Sequence, residues 1–449
     1  MLQSDLKNSP TKPPRLDRMD RKGLVAYFQH TWDLCELLFS SIRSAGSLYE
    51  RPDPLRNPLI FYFGHPAAFY INKLRMAGLL SRGVHDQYDE LLAVGVDPDR
   101  PEHLHVANLW PDEATVRTYR NTIFEIVMEV IESVELPSSP VNDQHPLWAL
   151  LMGLEHDRIH FETSSVLIRQ LGVEKVRRPE GWHYAPTLGA PPENDWISSE
   201  GGTVRLGKSR EDSLFGWDNE YGQLEVKVEP FAATRNLISN LEFLEFVEDG
   251  GYTRPDLWSD EGRDWKTRTN TTHPKFWVQA DDGYLYRAMF DEMTLPLDWP
   301  AEVNAHEAWA YCRWKGENSR LLSESEFLLL TREGLPGSYD PLFAREHNLD
   351  FKYGSATPVG FMQEGTSASG FNDLYGNVWD WLMDDFYPLP GFQPHPLYLD
   401  FSEPYMDPEH SMMAGGSWAT TGTGASKHYR LWFRRHFFQH AGFRLARSI

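Results

Sequence analysis

The chain has 449 residues, enough for two or three domains, and its 41% hydrophobic and 13% aromatic content, with 16 Trp, excludes a disordered chain. A formal net charge of −22 excludes nucleic acid and an anionic membrane surface as main partners, since both need clustered Lys and Arg. With only two cysteines, Cys35 and Cys312, a disulfide framework and a zinc knuckle are excluded, and a reducing compartment is expected.

Residues 1–20 are polar, with no apolar core of a secretory signal, and read as a flexible N-terminus. No run of about 18 apolar residues occurs, so a cytoplasmic protein is expected. Apolar residues then recur at helical spacing over 21–42, 67–80, 113–134 and 146–172. Pro66 stands where the second helix would begin, and Gly172 lies just past the end of the fourth. Four long helical segments predict a four-helix bundle over 21–182, whose core is a common place for inward-facing metal ligands. The Pro-, Gly- and Asn-rich stretch 183–200 reads as a linker. Short alternating segments follow, such as "GTVRLG" and "QLEVKVEPF", interrupted by helices over 239–251 and 303–316, each ending at Gly. The rest is rich in loops and tryptophans, so 201–449 is expected to form an α+β domain.

The fourth helical segment, "LEHDRIHFETSSVLIRQL", sets His156 and His160 one turn apart on one face, about 40° around the axis, where both can reach one ion. Asp157, followed by Arg158, stands where an HExxH protease has its general-base Glu, so the HExxH motif is not met and that activity is disfavoured. Glu162 lies about 200° around the helix from His160 and points away. Glu155 and Asp157 sit about 100° to either side of His156, placed to support the site rather than to ligate. A third ligand should come from another helix, and His65 in "YFGHPAAFY", flanked by apolar and aromatic residues, is the candidate. The alternative is a chance pair among 17 histidines. Three histidines without cysteine suit iron, zinc or copper, and leave coordination positions open.

The motifs "GHPAAFY", "LEHDRIHFETSSVLIRQL", "WHYAPTLGAPPENDW", "FGWDNE", "GNVWDW", "GGSW" and "FFQHAGFR" follow in order over nearly the whole chain. This combination resembles the non-haem iron sulfoxide synthases of thiol-histidine biosynthesis, and within them the ovothiol-pathway branch. The resemblance implies an α+β multidomain fold: a DinB-like four-helix bundle, then a loop-rich, C-type-lectin-like (formylglycine-generating-enzyme-like) domain. It implies Fe(II) held by His65, His156 and His160. It also implies O2-dependent joining of a cysteine sulfur to the imidazole carbon of histidine, giving 5-histidylcysteine sulfoxide. Ergothioneine-pathway relatives, which take trimethylhistidine with cysteine or γ-glutamylcysteine, typically carry Gln immediately before the second helix histidine. Ile159 stands there, which favours plain histidine, with simple packing as the alternative.

Family members need a tyrosine near the iron, which gives a proton during oxygen activation and suppresses oxidation of cysteine to sulfinic acid. Local similarity of "YLDFSE" points to Tyr398 and then to Tyr387, each also readable as a hydrogen-bonded structural tyrosine. Arg430, Arg434 and Arg435 are concentrated near the end of an acidic chain, where a guanidinium can hold a substrate carboxylate; the alternative is an internal salt bridge. "GNVWDW" and "GGSW" read as fold-defining core. A formylglycine-generating oxidase needs two cysteines in its catalytic domain, and only Cys312 lies there. Many ovothiol-type enzymes carry a C-terminal methyltransferase; none is discernible before Ile449, so a separate methyltransferase is expected to act on the product. A rival of another class is a non-catalytic lectin-like protein that binds a metal or small ligand.

Overall fold

Residue after residue from Leu59 to Ile71 is buried, and this run organises the N-terminal half. The computed structural model of the chain describes residues 12–93, 95–104, 109–333 and 346–449. Its first part consists of α1 (Arg21–Phe39), α2 (Leu59–Met76), the short α3 (Asp86–Leu91), α4 (Glu113–Ser133) and α5 (Leu147–Arg169). Asp20 and Asp112 cap α1 and α4 by accepting first-turn backbone N–H groups. Helix α2 packs against α4 and α5, and α1 against α5. The helix α2 begins seven residues before the expected start, with Pro66 inside it. An internal proline costs about 3 kcal/mol. Five fully buried large residues, Leu59 to Phe63, contribute about 1.5–3 kcal/mol each, which outweighs that cost.

The remainder is a mixed domain: β1 (Trp196–Ser199), β2 (Gly202–Leu206), β3 (Leu224–Val228), β4 (Phe231–Thr234), α6 (Asn240–Glu248), α7 (Asp260–Thr269), β5 (Trp277–Gln279), β6 (Tyr284–Arg287), β7 (Glu292–Thr294), α8 (Ala305–Lys315), α9 (Glu324–Glu333), β8 (Trp379–Asp385), β9 (His410–Ala414), β10 (Leu431–Arg434), β11 (Ala441–Gly442) and β12 (Ala446–Ser448). Two sheets dominate, ordered β1-β4-β12 and β10-β9-β8-β11. The hairpin β2–β3 joins the two alternating segments read from the sequence. Capping boxes start α6 (Ser239, Glu242) and α8 (Asn304, Glu307). The stretch 183–200 departs from a linker. It contains β1, paired antiparallel with β4 from Trp196↔Thr234 onward, and the Trp196 ring lies 4.2 Å under the Arg447 guanidinium. The buried tryptophans of "GNVWDW" and "GGSW" sit in the core, Trp379 and Trp381 on β8 and Trp418 beyond β9.

The two parts share one interface, and α5 runs along it. Gly422, at φ +61°, approaches α5 so closely that a Cβ there would meet Tyr27 Oη and the Glu155 carboxylate. Ser165 on α5 bonds His440 at 2.8 Å, and Arg169 donates to Glu302 at 2.7 and 2.8 Å.

Candidate metal centre

The i, i+4 pair on α5 and one residue of the facing helix α2 bring three imidazoles together. His65, His156 and His160 offer ligand nitrogens that all lie within 4.8 Å of one another. Their ring centres are 4.9 Å apart for His65–His156, and 4.4 Å for both His65–His160 and His156–His160. Among the described residues no other three His, Cys, Asp or Glu side chains converge this way.

The Nδ1–H of His65 donates to the Leu92 carbonyl at 2.6 Å, since a carbonyl can only accept; the lone pair of Nε2 is thereby directed inward. Neither nitrogen of His156, nor Nδ1 of His160, has a hydrogen-bond partner in the protein, although all are buried. Buried polar atoms are normally paired, so unpartnered nitrogens on His156 and His160, in a triad whose ligand atoms converge within 4.8 Å, fit a metal ion. Burial pulls the pKa of His65 down to about 4, and those of His156 and His160 well below 6.5, so all three are neutral ligands at pH 7. Phe69, one turn after His65 on α2, lies flat on His156 with ring centres 3.5 Å apart.

The neighbouring carboxylates face elsewhere. Glu162 accepts from Trp379 Nε1 at 2.7 Å, from Thr420 Oγ1 at 2.9 Å and from Ser417 Oγ. Glu155 accepts from Tyr27 Oη, Thr423 N and Thr423 Oγ1, each at 2.7 Å. Asp157 is buried with both oxygens unpartnered, and burial raises its pKa to about 7. The two glutamates thus tie α5 to the second domain while the histidines face the opposite way.

Beside the histidines opens a cavity of about 750 Å³, walled by both parts of the chain. Ile159 and Tyr398 line it. Tyr398 stands 6.1 Å from His156 and 5.1 Å from Phe69, centre to centre, and burial pushes its phenol up. Tyr387 lies outside the lining, its hydroxyl bonded to Glu324 at 2.6 Å. The arginine cluster is engaged by acidic residues of the fold. Arg430 reaches the cavity wall but pairs with Glu324 at 2.6 Å; Arg434 pairs with Asp97 at 2.7 Å and with Glu409; Arg435 pairs with Asp385 at 2.5 Å and Glu261 at 2.8 Å. Each guanidinium is thus ion-paired within the fold, the internal salt bridge that was the alternative reading of this cluster, and of the three only Arg430 also lines the cavity. Lys73, Arg56, Tyr429 and Asp97 also line the cavity and were missed in the sequence. Only Lys73 carried a signal, its i+8 spacing from His65 on α2. Cys35 on α1 and Cys312 on α8 are both buried and free, with burial pushing the Cys35 thiol up to about 12.

The model of the sulfatase-modifying factor enzyme 1-like domain matches residues 185–449. The hercynine oxygenase of Mycolicibacterium thermoresistibile is 28% identical over 437 residues, covering 88% of this chain and 89% of that protein. The hercynine oxygenase of Mycobacterium tuberculosis is 32% identical over 257 residues, 54% of this chain and 59% of that one. Ergothioneine biosynthesis protein 1 of Schizosaccharomyces pombe is 24% identical over 444 residues, 89% of this chain and 52% of that protein.

Proposed function

The chain belongs to the sulfatase-modifying factor enzyme 1-like family, and from that premise we propose an Fe(II)- and O2-dependent sulfoxide synthase that couples a cysteine sulfur to the imidazole carbon of trimethylhistidine. The observation that carries it is the convergence of three neutral imidazoles beside a cavity, with unpartnered nitrogens on His156 and His160, in a chain similar to hercynine oxygenases. Hercynine is trimethylhistidine, and this similarity favours it over plain histidine. In the same reading residues 21–182 are a DinB-like bundle.

The overall reaction balances: thiol and imidazole C–H each give up a hydrogen, O2 places one oxygen on sulfur, and the other leaves as water. Iron(II) held by His65, His156 and His160 would supply oxygen activation and a common centre for the two reactants. The chain's own groups then orient and exclude. The hydrogen bond from His65 to Leu92 keeps that ring in one tautomer. Phe69 covers His156 and keeps water from that side. Burial keeps the Tyr398 phenol protonated, so its Oη is available as the proton donor. A quaternary ammonium has no N–H to satisfy and is held well by aromatic faces. Phe69, Tyr398, Phe401, Tyr405 and Trp432 supply such faces around the cavity.

One observation favours a second reading, ovothiol-type coupling of plain histidine: Ile159 presents an apolar side chain to the cavity just before His160, where ergothioneine-type relatives typically carry Gln. The test loads the protein with Fe(II) anaerobically, adds cysteine with either trimethylhistidine or histidine, and admits air. Coupled sulfoxide by mass is expected with trimethylhistidine; coupling with histidine alone selects the second reading, and no coupling with either rejects both.

A further inference from the structure

Because Arg430, Arg434 and Arg435 are committed to carboxylates of the fold, the charge offered to a ligand must come from elsewhere. Three other cations line the cavity with no ion-pair partner among the described residues: Arg56, Lys73 and the exposed Arg75. The Arg56 guanidinium is stacked 3.8 Å over the Phe437 ring and donates to the Val96 carbonyl at 3.2 Å, so it holds the cavity wall together. Lys73 is placed differently.

Lys73 follows His65 by eight residues on α2, with Phe69 between them on the same face. Helical side chains lean toward the N-terminus, which carries the lysine back toward the histidines. Its Nζ stands 4.9 Å from the Phe69 ring centre and 4.1 Å from that of Tyr398. The same Phe69 ring stacks near-parallel on His156, with ring centres 3.5 Å apart. Phe69 thus contacts both the ammonium and a member of the histidine triad. One N–H is spent on the Leu397 carbonyl at 2.5 Å, and an ammonium has three to give. Burial lowers the lysine's pKa to about 8, opposed by the charge of exposed Asp400, so the group is still mostly charged at neutral pH. A half-buried cation with no direct ion pair, and only the exposed Asp400 of the cavity rim as a more distant counter-charge, is relieved by an anion entering the cavity.

We propose that Lys73 is the anchor for the α-carboxylate of an amino-acid substrate, holding it beside Phe69 while the side chain reaches the histidine triad. An amino acid whose sulfur or imidazole lies at the histidines carries its carboxylate only a few bonds back, which matches the offset of Lys73, with Phe69 in contact with both. The carboxylate has two possible sources, cysteine and the imidazole amino acid. The proposal rests on the sulfoxide synthase reading.

The test measures equilibrium binding of cysteine, trimethylhistidine and the carboxamide of each to the anaerobic Fe(II)-loaded full chain, by tryptophan fluorescence, with coupling on admission of air recorded separately. The wild type is expected to bind one of the two amino acids at least about tenfold more tightly than its carboxamide. Lys73→Met should weaken the carboxylate form by about that factor and leave the carboxamide within about twofold, so that the ratio collapses. Lys73→Arg, which keeps the charge, should retain most of the ratio. The amino acid whose ratio collapses is the one whose carboxylate is held. A ratio unchanged in Lys73→Met for both amino acids, or a wild type with no carboxylate preference, overturns the assignment. If the wild type couples the substrates but the ratio does not move, the anchor alone is wrong. If the ratio collapses as expected but no coupling occurs, the anchor stands and the synthase reading fails.

Discussion

Trp379 donates its indole N–H to the Glu162 carboxylate at 2.7 Å, a bond from the second domain's β8 to the helix that carries His156 and His160. Thr420 and Ser417 complete the set of donors, and Glu155 repeats the arrangement two turns earlier through Thr423. These two glutamates therefore fix how α5 is rotated, and with it where the imidazoles point.

Glu162→Gln tests this directly. The amide keeps the shape but replaces one acceptor oxygen by an NH2, set against one or two of the three donors. Groups that orient ligands typically cost about 10- to 100-fold in metal affinity when removed. Titration of the chelator-treated chain with Co(II) should show affinity reduced by about tenfold, together with a lower thermal midpoint. A lower midpoint with unaltered affinity would mean that Glu162 serves the interface alone.

Tyr398→Phe should change the products rather than merely the rate. Removing the phenol next to Phe69 and His156 takes away the proposed proton donor. The sulfinic acid fraction, read by mass from cysteine, should rise at the expense of the coupled sulfoxide. Tyr387→Phe, whose hydroxyl is bonded to Glu324 outside the cavity, should leave the partition unchanged.

Ile159→Gln addresses the imidazole substrate. If the apolar side chain bears on recognition, the ratio of kcat/KM for trimethylhistidine over histidine should rise by about fivefold or more, in the range of one added hydrogen bond. A ratio within twofold of wild type assigns Ile159 to packing.

A pH effect on stability arises away from the site. Burial pulls His306 and His436 each down to about 3; His436 and Arg435 push His306 the same way, and Arg434 pushes His436 the same way against the charge of Asp97. In the unfolded chain both take up protons near pH 6.5. Between pH 6.5 and 3 the unfolded state thus binds more protons, and stability falls as pH falls, by up to about 1.4 kcal/mol per pH unit for each group. Urea midpoints at pH 7.5 and pH 5 should differ in that sense, and His306→Gln should shrink the difference. An unchanged difference would remove His306 from the explanation.

Much of the site was legible from local periodicity. The i, i+4 spacing put His156 and His160 on one face, and the same geometry sent Glu162 the other way, where Trp379 meets it. Long-range pairing was not legible. Arg430, Arg434 and Arg435 find Glu324, Asp97 and Asp385, residues 50 to more than 300 positions distant, and nothing local to the arginines announces them. The start of α2 was hidden because Pro66 reads as a helix boundary, whereas burial of the preceding run carries the helix through it. That misreading also concealed Lys73, whose relation to His65 exists only if both share one helix. β1 was masked by its Pro- and Gly-rich approach, although Trp196 marked where packing begins.

The most direct test of the three-histidine centre is anaerobic equilibrium dialysis of the full chain against Fe(II), comparing the wild type with His65→Ala and His156→Ala. The expected result is one iron per wild-type chain and loss of that iron from both variants, with retained helical circular dichroism. Wild-type stoichiometry and affinity in either variant would contradict it.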